Sequence, residues 1–110
     1  MRYWLATVLA LWVGPASAQD FAPLSGGEIE RALRETTLIY DGAFQVFYGS
    51  GRTLYDNGPE SWGYWRVRAG QYCSQWPPSD SWDCYDMARS GDTLRFIARD
   101  GSFTDGVIAR

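Results

Sequence analysis

Beyond residue 35 the chain alternates short β-branched or aromatic runs with glycine-centred turns, a rhythm that predicts strands. The runs fall at 37–40, 43–48, 53–55, 62–67, 71–76, 82–88, 94–98 and 102–109. Between them stand Asp41-Gly42, Ser50-Gly51, Asn57-Gly58-Pro59, Ala69-Gly70, Ser90-Gly91-Asp92 and Asp100-Gly101, all turn-forming combinations. Pro77-Pro78 ends the fifth run, because proline donates nothing to a ladder. Strands this closely spaced predict an antiparallel meander rather than a parallel sheet. Ahead of them, Ser25-Gly26-Gly27-Glu28 reads as a helix capping box, and Ile29, Ala32 and Leu33 follow as one apolar stripe. A helix of about 8–10 residues is too short to persist alone and needs a sheet to lie on. The expected fold is mainly β (α+β): a short N-terminal helix packed on a curled antiparallel meander sheet, or a small barrel, of about seven strands.

The first 18 residues change that picture by placing the chain in a compartment. Arg2 precedes an apolar run, Gly14-Pro15 breaks it, and Ala16-Ser17-Ala18 forms a cleavage site. Residues 1–18 read as a signal peptide and residues 19–110 as a single β-rich domain, periplasmic or secreted. The apolar run falls short of the ~20 residues that span a bilayer. Gln19 rather than a cysteine stands directly after the cleavage point, so no stable membrane anchor is expected after cleavage.

Composition mainly removes functions. The formal net charge is −3, and losing Arg2 makes the domain more acidic still, which argues against a nucleic-acid partner. The chain has no His and no Lys. Ser-His-Asp and Cys-His catalysis, nearly all zinc sites, Schiff-base chemistry and a P-loop go with them. The aspartates lack the spacing of a calcium loop. No cofactor, metal ligand or catalytic residue is expected. Cys73 and Cys84, in an oxidising compartment, predict one structural disulfide, worth about 3 kcal/mol in the chain-entropy model.

Pairing Cys73 with Cys84 sets Tyr72 opposite Tyr85 and Gln75 opposite Trp82, and the preceding hairpin brings Trp65 near Cys73. On that register Trp65, Val67, the disulfide and Trp82 form a core face. The other face carries Tyr64, Arg66, Tyr72, Trp76, Asp83 and Tyr85. Exposed rings beside polar groups suit a ligand platform, and Tyr64, Arg66, Tyr72, Trp76 and Tyr85 are the candidate ligand-binding residues. The competing reading is that these rings cover a second small core or close the inside of a barrel. The tip at residues 77–81, flanked by Trp76 and Trp82, suits a protein contact. Arg66, Arg68 and Arg95 offer only a weak anion site. Glu60, Asp80 and Asp83 are the carboxylates from which a glycan hydrolase would be assembled.

An aromatic-rich strand from Phe44, Gly63-Tyr64-Trp65-Arg66-Val67, Cys73-Ser74-Gln75-Trp76, the second cysteine at Cys84 and the closing Gly91-Asp92-Thr93-Leu94-Arg95-Phe96 together resemble small exported proteins of unknown function from Gram-negative bacteria. The resemblance covers most of the domain and implies a β-rich periplasmic fold with one disulfide, without a catalytic residue. The expected function is a non-enzymatic binding or inhibitory module for an envelope protein or small ligand. The alternatives are a carboxylate-dependent hydrolase of envelope glycans and a structural envelope component.

Overall fold

The computed structural model describes residues 20–110, so the signal peptide lies outside the described residues. Strand β1 (Ala22–Pro23) is followed by helix α1 (Gly26–Leu33). Eight strands complete the chain: β2 (Thr36–Tyr40), β3 (Ala43–Phe47), β4 (Arg52–Asp56), β5 (Glu60–Arg68), β6 (Gln71–Gln75), β7 (Asp83–Ser90), β8 (Thr93–Ile97) and β9 (Phe103–Ile108). Each of β2 to β9 pairs antiparallel with the next. The circuit closes where Leu38 and Ile39 of β2 meet Ile108 and Val107 of β9. The result is an up-and-down barrel of eight strands, the small barrel rather than the curled sheet of the two expected forms and one strand larger than about seven, and closure leaves few free edges.

One gap remains and β1 fills it. Strand β6 pairs with β7 only from Tyr72–Tyr85 to Ser74–Asp83, so β7 then parts from its neighbour. Ala22 and Pro23 pair with Arg89 and Ala88 along that vacated edge, and the Leu24 amide donates to the Met87 carbonyl. The helix is therefore the second element rather than the first.

Helix α1 starts as its sequence dictates. The Glu28 amide donates to the Ser25 hydroxyl and the Ser25 amide to the Glu28 carboxylate, satisfying two otherwise free donors. Its apolar stripe places Ile29 and Leu33 at zero exposure beneath the barrel, where Gly26 comes close to Val67 and Gly70 at the β5–β6 turn. The helix thus closes one end. Above it, Leu38, Phe47, Trp65, Met87, Leu94 and Phe96 fill the lower barrel as one cluster. Inward residues alternate with outward ones along each strand, as a closed barrel requires.

One register differs from the sequence expectation, with consequences for the site. Ala69 and Gly70, both at positive φ, make a two-residue turn that pairs Arg68 with Gln71 and hence Arg66 with Cys73. Trp65 instead faces Ser74. Since neighbouring residues point to opposite faces, this one-residue offset puts the bridge on the outer wall with Arg66, and Trp65 and Val67 inside. The Cys73–Cys84 bridge is formed, and Tyr72 faces Tyr85 as expected. The β6–β7 ladder stops at Ser74–Asp83, so Gln75 does not face Trp82; its side-chain amide donates to the Asp80 carbonyl.

Candidate functional site

At the end opposite the helix the barrel is open. Its mouth is a cavity of about 990 Å³, within the range of small-molecule sites. An eight-stranded barrel has room either to fill its interior with side chains or to hold one small ligand. This one does both, packed below and hollow above.

The walls are aromatic. Trp76 meets Tyr55 edge-on at 6.3 Å between ring centroids, and Tyr55 lies 6.1 Å from Tyr40. Tyr40 is 6.4 Å from Phe96, Phe96 5.0 Å from Tyr72, and Tyr72 6.2 Å from Tyr85. Six rings from strands β2, β4, β6, β7 and β8 and the residue after β6 therefore form a connected collar. Two glycines make room for it. A Cβ on Gly63 would lie 2.6 Å from both Trp76 Cε3 and the Gln75 carbonyl oxygen, and one on Gly106 2.8 Å from Tyr40 Cε1. Strand positions without side chains here mark the close approach of rings.

The floor is polar and its hydrogen bonds are mutually satisfied. Gln45, 6% exposed, donates from Nε2 to Thr53 Oγ1 (2.9 Å) and to the Tyr72 hydroxyl (3.4 Å), and accepts from the Tyr40 hydroxyl (2.8 Å). Thr53 in turn donates to the Val46 carbonyl, and Trp76 Nε1 donates to Ser74 Oγ. Buried polar groups without such partners would cost stability. Burial pushes the Tyr72 phenol up to about 12, against weaker opposing hydrogen bonds from Ser74 and Gln45. Burial pushes Tyr40 up as well, helped by Tyr72 and Tyr55. Both phenols are therefore neutral hydrogen-bonding groups at physiological pH.

Charge at the mouth has one sign. Asp41, Glu60 and Asp105 line it and, among the described residues, no arginine does. Asp105 is neutralised by a two-pronged bond to Arg95, at 2.8 and 3.0 Å, and Arg95 itself packs 3.8 Å from the ring centroids of Phe21 and Phe103. Among the described residues no ion pair engages Asp41 or Glu60.

Of the five residues singled out in the sequence, the structure gathers three: Tyr72, Trp76 and Tyr85 line the cavity. Tyr64 and Arg66 are on the outer wall. The guanidinium of Arg52 sits 5.3 Å from the Tyr64 ring centroid, and that of Arg66 3.9 Å over Trp82. No single face carries all five, because the β5 register sends Tyr64 and Arg66 to the side of the disulfide. Trp82, assigned to the core, is half-buried on that outer side. Tyr40, Tyr55, Phe96 and Gln45 were not singled out. Their signal is parity: each sits an even number of residues from a core position on its own strand or on the partner strand. Of the three carboxylates considered for hydrolysis, only Glu60 lines the cavity, and all three are exposed. No helix among the described residues is long and apolar enough to cross a membrane. No protein-family model, curated protein or solved structure matches this chain.

Proposed function

We propose that this chain, exported and freed of its leader, is a non-catalytic binding module that holds a small ligand in the mouth of its barrel. The observation that carries the reading is a ring-lined cavity open to solvent at one end and closed at the other by a packed core and a helix. Flat rings give apolar contact area at small entropic cost, and the Gln45 network beneath them offers fixed polar groups to orient a ligand. The formed disulfide is compatible with a periplasmic or extracellular setting. Of Glu60, Asp80 and Asp83 only Glu60 lines the cavity, so the three carboxylates considered for hydrolysis are not gathered there.

Thermal-shift screening of the exported protein against a panel of small cationic, anionic and neutral compounds tests this reading. A compound present at about 100 times its Kd stabilises by about 2.7 kcal/mol, enough to raise the Tm by several degrees. Thr104→Trp, a large side chain placed at the exposed rim of the cavity, abolishes that rise. A panel without any stabilising compound, or an undiminished rise in the plugged variant, contradicts the reading.

A further inference from the structure

Resting on that reading, we infer that the ligand is an organic cation, an amine or quaternary ammonium group seated among the rings. Three independent features of the cavity converge on this chemistry. The first is the collar, in which Trp76, Tyr55, Tyr72 and Tyr85 surround the space with π-systems. A cation within about 6 Å of such a ring centroid is attracted by its quadrupole, and more strongly where water is excluded. The second is the sign of the rim. Asp41 and Glu60 stand at the opening without an ion-pair partner among the described residues, while the third rim carboxylate, Asp105, is already held by Arg95.

The third feature is where the positive charge of the chain lies. Among the described residues the arginines sit on the helix, the outer wall, the loops and the closed end, and none of them is in the cavity lining. The chain uses arginine against rings repeatedly, as with Arg66 over Trp82 and Arg95 between Phe21 and Phe103. Of the rings that line the cavity, Trp62 and Phe103 already face Arg52 and Arg95. Among the described residues no guanidinium stands over Trp76, Tyr55, Tyr72 or Tyr85, so a cation from outside finds at those four rings the position that the chain fills for itself at others. An anionic ligand meets the reverse: like charge at the entrance and no donor cation inside. A low-dielectric funnel lined by one sign of charge also concentrates ions of the opposite sign. A neutral ligand gains the ring contacts and can donate hydrogen bonds to the carboxylates, but gains no charge attraction from them.

Choline and its uncharged isostere 3,3-dimethylbutan-1-ol separate charge from shape, because they differ in little but a nitrogen and its charge. Titrated calorimetrically into the exported protein at low salt, choline binds at least about tenfold more tightly than the alcohol. The double variant Asp41→Asn, Glu60→Gln weakens choline several-fold and leaves the alcohol unchanged. Since both residues are exposed, the variant keeps its fold, which the unchanged alcohol affinity or an unchanged Tm confirms. Equal binding of the two probes overturns the cation assignment while leaving the cavity as a binding site. Binding of neither probe overturns it too, and the compound panel then decides whether the cavity takes any ligand.

Discussion

Phe47→Ala lowers the unfolding free energy by about 3–5 kcal/mol, the range for truncating a fully buried phenylalanine. The size follows from position. Phe47 has zero exposure and sits where three other rings meet. It packs edge-on against Trp65 and Tyr72, each 5.8 Å between centroids, and stacks on Phe96 at 6.4 Å. Trp65 is held in place separately by its indole N–H to the Tyr48 carbonyl, and Tyr72 by Gln45. The neighbours therefore cannot collapse into the space, and the cost of the cavity adds to the lost burial. Small domains have only about 5–15 kcal/mol in total, so this variant stands near the edge of unfolding. Urea denaturation measures it as a lower midpoint with an unchanged slope. A loss below about 1 kcal/mol would show that the packed lower barrel does not rest on Phe47.

Replacing both cysteines, Cys73→Ala with Cys84→Ala, costs about 3 kcal/mol, the chain-entropy value for a loop this short. For a domain of this size that corresponds to a Tm lower by roughly 12–24 °C. The bridge spans 11 residues in sequence and joins β6 to β7 where they share just three paired positions. Tyr72 and Tyr85 flank it directly, so the two strands that carry cavity rings are clamped from outside the wall. The variant therefore loses ligand-induced stabilisation as well as stability. Calorimetry of the oxidised and cysteine-free proteins checks both effects. A Tm within a few degrees of the parent contradicts the role given to the bridge.

Local signals in the residues match the structure more closely than most long-range ones, the Cys73–Cys84 pairing apart, for physical reasons that differ by element. The capping box at Ser25 and Glu28 is complete within four residues, so nothing distant alters it. The Asp41-Gly42, Ala69-Gly70 and Asp100-Gly101 turns are local in the same sense, and strands appear on either side of each. Barrel closure is different. It depends on Leu38 and Ile39 meeting Ile108 and Val107 from the far end of the chain, a pairing that no local pattern encodes. Without closure, the rings of β2, β4 and β8 could not be seen to join those of β6 and β7.

The assignment of faces failed on parity. Trp65 and Val67 are inside as expected, but placing Trp65 rather than Arg66 beside Cys73 exchanges inside for outside along β6 and β7 relative to β5, and the turn geometry that decides the matter is implied by Ala69-Gly70. A second signal lay in Gln45, Thr53 and Ser74. These polar residues occupy inward positions, where an evenly filled core would place apolar ones, and the structure puts them around the floor of the cavity. Polar residues at core parity, between aromatic neighbours, are the sequence mark of a barrel that is hollow at one end.

The most direct test of the account is where a bound molecule sits. Benzyltrimethylammonium, which carries both a ring and a cation, is titrated into the ¹⁵N-labelled protein and followed by its amide and indole resonances. The account predicts saturable shifts at the Trp76 indole N–H and the amides of Tyr55 and Tyr85, with Tyr64, Arg66 and Trp82 unmoved. Shifts confined to those three outer-wall residues, with the cavity silent, would contradict it.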